Sequence, residues 1–154
     1  MIKLFAMDVD GTLTDGNINI SENGELFKSF NVKDGLGIQL LIKNNIIPVI
    51  ITGRKSQIVE FRMKELGVNN IYQSIKNKLD CLKEICAEFN INLSEVAYIG
   101  DDINDMEVLR SVGYSFCPFD SIEAVKKVVN HVCCISGGKG AVREAIDLIL
   151  KETK

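Results

Sequence analysis

The chain has 154 residues, 46% of them hydrophobic, enough to bury one core without disulfides or a structural metal. Lys and Arg total 18 against 21 Asp and Glu, so the net charge of −3 excludes a general attraction for nucleic acid or an anionic membrane. The longest apolar runs are strand-sized and no basic, cleavable leader opens the chain; with five cysteines (Cys81, Cys86, Cys117, Cys133 and Cys134) in no CxxC spacing, a cytoplasmic protein is expected.

The apolar run 4–9 predicts a first strand. A β-hairpin follows, with strands over 18–20 and 26–30 around Glu22-Asn23-Gly24-Glu25, where Asn-Gly suits the positive φ angles of a tight turn. From there helical patterns at 35–44, 56–66, 78–89, 104–111, 121–129 and 141–151 alternate with strands at 48–52, 71–73, 96–99, 114–117 and 132–135. Alternation of this kind implies an α/β fold: a doubly wound, Rossmann-like parallel sheet with right-handed crossovers, the hairpin being the one departure. With no repeat or linker, a single domain over 1–154 is expected. Ligands of such sheets sit beyond the carboxyl ends of the strands.

Chemistry-bearing residues gather at those ends. The first strand delivers Asp8-Val9-Asp10-Gly11-Thr12, and side chains two apart on an extended chain share a face, so Asp8 and Asp10 can converge where their repulsion calls for a cation. The strand 96–99 ends in Gly100-Asp101-Asp102-Ile103-Asn104-Asp105. Hard oxygen ligands of this type suit Mg²⁺, although Asp102 and Asp105 serve equally well as acids at a helix N-terminus. Thr52-Gly53-Arg54 follows a third apolar strand and offers a phosphate-binding turn. Lys78 opens a helix, where a cation opposes the dipole and a phosphate contact would explain it; Lys76 competes for that role.

Asp8-Val9-Asp10-Gly11-Thr12-Leu13-Thr14, then Thr52, Lys78 and Gly100-Asp101-Asp102-x-x-Asp105, resemble the four ordered motifs of the haloacid dehalogenase superfamily. The resemblance implies that Asp8 attacks phosphorus, that Asp10 protonates the leaving oxygen and later activates water, and that Thr52 and Lys78 bind the phosphoryl group. It also implies Mg²⁺ held by Asp8, the Asp10 carbonyl and Asp101. A carboxylate nucleophile splits hydrolysis into two easier steps, and cations neutralise the equatorial oxygens.

Neither usual slot for a cap domain has room: 10–34 holds the hairpin alone, and 52–78 one helix and one strand. The capless outline with the hairpin resembles a narrower group, the 3-deoxy-D-manno-octulosonate 8-phosphate phosphatases, which are homotetramers. Asn31-Val32-Lys33-Asp34-Gly35, Arg54 with Arg62, Tyr72-Gln73-Ser74 and Gly137-Gly138-Lys139-Gly140-Ala141 match it. The resemblance implies that 31–35, both arginines and Lys78 line the substrate site, where guanidinium would grip a sugar acid's carboxylate and phosphate. The resemblance implies Glu in place of Arg54 in at least some nine-carbon, sialic-acid-type 9-phosphate enzymes, so Arg54 points toward the eight-carbon substrate. Two other classes remain: a receiver domain of a signalling relay, whose acidic pair and Lys would come in another order, and a non-catalytic tetramerising module. The hairpin residues Ile18, Ile20, Leu26, Phe27 and Phe30 exceed what one face can bury, so self-association is expected.

Overall fold

The computed structural model describes residues 1–152. Its strands are β1 (Leu4–Met7), β2 (Asn19–Ser21), β3 (Gly24–Phe27), β4 (Ile47–Ile51), β5 (Asn70–Tyr72), β6 (Val96–Ile99), β7 (Tyr114–Cys117) and β8 (His131–Val132). The helices are α1 (Val32–Lys43), α2 (Gln57–Glu65), α3 (Lys78–Phe89), α4 (Met106–Ser111), α5 (Glu123–Lys126) and α6 (Ala141–Glu152). Six strands form a parallel sheet in the order β5-β4-β1-β6-β7-β8, and β2 pairs with β3 apart from it.

Both faces of the sheet are covered, which is why its strands read as continuous apolar runs. Successive side chains alternate sides: Phe5, Met7, Ile50 and Ile99 pack with Ile38, Met63 and Ile146 of α1, α2 and α6. Leu4, Ala6, Ile51 and Tyr98 pack with Leu82, Val108 and Val125 of α3, α4 and α5. From β1 the chain moves outward through β4 and β5, then returns to place β6 on the other side of β1. The switch point therefore lies between β1 and β6, and the acidic strand ends at Asp8 and Asp101 open into that crevice.

Several expected boundaries shift for local reasons. β1 stops at Met7, because the N–H groups of Thr12, Leu13 and Thr14 all turn back to the Val9 carbonyl. α1 starts at Val32, not at 35, since the Asn31 side chain accepts the Lys33 N–H as an N-cap. The helix expected over 104–111 divides into a 3₁₀ turn, Ile103–Asp105, and α4. The helix over 121–129 shrinks to Glu123–Lys126, and the last strand to His131–Val132. In the hairpin turn Gly24 takes positive φ, and Asn23 does not.

Candidate active site

Asp8 leaves β1 with its N–H still donating to the Ile99 carbonyl at 3.1 Å, so the sheet itself fixes this residue's backbone. Its carboxylate lies 2.9 Å from Lys78 Nζ. Of the two candidate lysines, Lys78 is buried beside Asp8 and Lys76 is exposed. The ammonium also reaches Asp105 Oδ1 at 2.8 Å. Asp105, wholly buried, accepts four donors: Lys78 and the Tyr98 hydroxyl (2.6 Å) at Oδ1, and the N–H groups of Asp101 (3.0 Å) and Asp102 (3.3 Å) at Oδ2. It therefore locks the Lys78 ammonium and the Asp101 loop together. Asp102 donates through its backbone to this lock and caps the turn with its side chain, accepting the Ile103 N–H.

Asp10 sits in the turn beyond β1. Its Oδ1 is 2.6 Å from Lys28 Nζ, and its Oδ2 is 3.9 Å from Arg54 Nε. Gly11, with φ +86°, runs so close to Asp101 that any Cβ would strike the carboxylate Oδ2, and Thr12 donates its hydroxyl to Asp101 Oδ1 at 3.3 Å. Asp8, Asp10, Thr52, Gly53, Arg54, Asp101, Asp102 and Asn104 line one open cleft of about 180 Å³.

Charge in this cleft is unbalanced. Carboxylate oxygens of Asp8, Asp101 and Asp105 lie within 4.8 Å of one another, against the single ammonium of Lys78. Burial, followed by the Asp105 charge, raises the Asp8 pKa to about 6 in spite of Lys78. Burial and then the Asp8 charge push Asp101 up to about 8. Burial disfavours the Lys78 charge, yet Asp8 and Asp105 outweigh it and raise that pKa. A divalent cation beside Asp8 and Asp101 would relieve the repulsion, so the donor set fits Mg²⁺. Asp105 cannot join as a ligand, because its oxygens are occupied by the four donors above.

A profile of the haloacid dehalogenase-like hydrolases matches residues 68–146. The 3-deoxy-D-manno-octulosonate 8-phosphate phosphatase of Salmonella typhi is 43% identical over 97% of this chain and 79% of its own length. The chain belongs to the haloacid dehalogenase-like hydrolases. Among solved members, the enzyme of that same name from Moraxella catarrhalis, in complex with a magnesium ion, a phosphate ion and a KDO molecule, superposes with a TM-score of 0.94 at 45% identity. That match covers 97% of this chain and 86% of the other. The Yersinia pestis enzyme gives 0.95 at 42% identity, covering 97% and 81%. The receiver and non-catalytic readings are set aside accordingly.

The structure brings Asp8, Asp10, Thr52, Arg54, Lys78 and Asp101 together, but not every expected residue. Asn31, Val32, Lys33, Asp34, Gly35 and Arg62 do not line this hydrolase's own cleft. Residues 31–35 form the cap and first turn of α1, where Asp34 is buried and accepts the Arg143 N–H at the start of α6 (2.8 Å). Arg62 pairs with Glu65 at 2.9 Å and lies over Gly35, its Nη2 2.5 Å from where a Cβ would stand. The glycines of 137–140 pack in cis beneath the loop that follows Asp8: a Cβ on Gly137 would strike the Gly11 carbonyl, and Gly138 N–H donates to Thr12 O.

Sequence reasoning passed over Lys28, Glu25 and Tyr98. A phenol inside the otherwise apolar run Val96-Ala97-Tyr98-Ile99 was a usable signal, since a buried hydroxyl needs a partner. Lys28 and Glu25 carry no such mark.

Proposed function

We propose that this phosphatase hydrolyses 3-deoxy-D-manno-octulosonate 8-phosphate through a transient aspartyl phosphate on Asp8. The observation that carries the reading is the convergence, in one cleft, of a sheet-anchored carboxylate, a buried lysine 2.9 Å from it and a second carboxylate at the rim. Asp8 attacks phosphorus in line as the bond to the sugar oxygen breaks, and Asp10 gives its proton to that oxygen. Asp10, now ionised, takes a proton from water; the water oxygen bonds to phosphorus, the Asp8–phosphorus bond breaks, and inorganic phosphate leaves. Lys78 and Thr52 hold the phosphoryl oxygens during both steps. Asp8, Asp101 and the Asp10 carbonyl would hold Mg²⁺, which when bound would supply positive charge near the transferring phosphoryl group. Arg54, at the exposed rim and 3.9 Å from Asp10, would pair with the sugar acid's carboxylate.

The assembly is a homotetramer on this reading. Ile20, Leu26, Phe27 and Val32 leave more than half of their surface open beside a cleft with no cap, and a neighbouring copy would cover both. Among the described residues no helix is long and apolar enough to cross a membrane. The five cysteines are free and mostly shielded, which supports placement in the reducing cytoplasm.

Phosphate release from a panel of sugar acid phosphates, with Mg²⁺ and with excess chelator, tests the reading. Release should require Mg²⁺ and favour the eight-carbon 8-phosphate over a nine-carbon 9-phosphate by at least about tenfold in kcat/KM. Full activity in chelator, or equal activity on both sugars, would defeat it.

A further inference from the structure

Asp10 must hold a proton in one step and take one in the next, yet nothing in the sheet orients it. It lies beyond the end of β1, and Arg54 at 3.9 Å is too far to hydrogen-bond. Among the described residues its carboxylate has one hydrogen-bonding partner, Lys28 Nζ at 2.6 Å. Lys28 follows β3 on the hairpin, and its side chain is 3% exposed, unusual for a lysine on a two-stranded element. The ammonium is itself fixed by Glu25 Oε1 at 2.9 Å. Glu25 Oε2 accepts the Ser56 hydroxyl at 2.5 Å, and Ser56 Oγ caps α2 by accepting the Val59 N–H. Ser56 N–H in turn donates to Gln73 at 2.7 Å. A continuous tether thus runs from Asp10 through the hairpin to the loop that carries Thr52 and Arg54.

We propose that Lys28 is a positioning residue for the reaction: bound to Oδ1 of Asp10, it fixes the carboxyl so that Oδ2 faces the cleft and is the oxygen that transfers the proton. Glu25 anchors the lysine and Ser56 anchors Glu25. The inference rests on the aspartyl-phosphate reading above, in which Asp10 acts once as acid and once as base. Loss of Lys28 leaves the nucleophile, its lysine and the metal ligands in place, so the damage falls on proton transfer alone.

The test uses the Mg²⁺-loaded enzyme with two substrates, the sugar phosphate and p-nitrophenyl phosphate, whose aryl oxide leaves without needing a proton. Lys28→Met should lower kcat on the sugar phosphate about 100-fold with KM almost unchanged, the size of effect expected from misplacing a general acid. Phosphorylation of Asp8 by the aryl ester, followed by rapid quench, should fall about tenfold less, and phosphoenzyme should accumulate because water activation is still impaired. Lys28→Arg, which keeps the charge and donors, should recover most of the loss. Equal losses on both substrates without trapped phosphoenzyme, or losses below about threefold, would overturn the proposal. If Lys28→Met does not fold, Glu25→Gln decides: the same split between substrates supports the tether, and a uniform or absent effect refutes it. Wild-type enzyme that releases phosphate but never yields phosphoenzyme would count against the aspartyl-phosphate reading, not against the contact between Lys28 and Asp10.

Discussion

Asp8 and Asp10 stand two residues apart, and each carboxylate is held by a nearly inaccessible lysine, Lys78 at 2.9 Å and Lys28 at 2.6 Å. The two lysines arrive by different routes. Lys78 begins a twelve-residue helix packed on the sheet, and Asp105, itself fixed by Tyr98 and two backbone N–H groups, grips it from below. Lys28 comes from a hairpin whose outer surface is apolar and open, and its second partner, Glu25, belongs to the same hairpin. Asp8 is thus held from the core, whereas Asp10 depends on a hairpin that stands apart from the central sheet. Burial also differs in its effect: it raises the Asp8 pKa to about 6, while at Lys28 the hydrogen bonds to Asp10 and Glu25 overcome the cost of burial and raise the pKa of the ammonium.

The comparison breaks most completely at Asp8. Asp8→Asn keeps the shape and an oxygen for Lys78 but removes the nucleophile, so turnover should fall by at least about 10⁴-fold with the fold retained. Steady-state phosphate release together with circular dichroism checks this, and comparable turnover in a folded variant would end the covalent mechanism. Asp105→Asn comes next. It turns an acceptor of four donors into a group with a donor of its own, leaving Lys78 buried with half its compensation. The expected cost is about 3–5 kcal/mol of stability, with turnover lower by about 100-fold as Lys78 and Asp101 lose their common anchor. Urea unfolding that shows an unchanged midpoint would remove Asp105 from the core of the site.

The hairpin side should yield to a different insult. Ile20→Asp combined with Phe27→Asp puts charge on the exposed apolar surface, and a contact that buries it cannot survive. Sedimentation should show smaller species than wild type, and turnover should drop on the order of tenfold as the hairpin carries Lys28 away from Asp10. Asp8 phosphorylation by an aryl phosphate should suffer least, because Lys78 does not depend on the hairpin. A wild-type protein that sediments as a monomer at full activity would show that the hairpin needs no neighbour.

What the sequence revealed follows from how local each cause is. Apolar strand runs disclosed the sheet because burial on both faces leaves no other pattern, and Asp8, Asp10, Thr52, Arg54 and Asp101 were visible because each directly follows such a run. Lys78 stood out as a cation at a helix N-terminus. Lys28 did not, and Asp105 stood out without its role, since their partners Asp10 and Lys78 lie 18 and 27 residues away and only the folded chain brings them together. Asn31 to Gly35, expected along the substrate site, lie outside this chain's own cleft: Asn31 caps α1 and Asp34 faces α6. α5 and β8 were expected but come out shorter, since periodicity resolves the existence of such short elements better than their ends.

Asp34 supplies the last and, for turnover, the smallest test. Its Oδ1 accepts the Arg143 N–H, but its Oδ2 is buried without a partner, and burial raises the pKa to about 6 from the ordinary 3.8. The folded protein therefore holds this proton more tightly than the unfolded chain. The stabilisation is full below about pH 4 and is lost as pH rises through about 6, amounting to about 3 kcal/mol for a shift of roughly two units. Asp34→Asn keeps the oxygen that caps α6 and abolishes the titration, so it should gain stability over wild type at pH 8 and lose that advantage at pH 4. Urea midpoints at the two pH values measure the difference, and equal wild-type and variant slopes against pH would show that Asp34 is solvated and ionised like any surface acid. Because this carboxylate faces α6 and not the cleft, the substitution should leave the leaving-group dependence of catalysis as it is in the wild type, in contrast to every change made along the tether from Asp10 to Ser56.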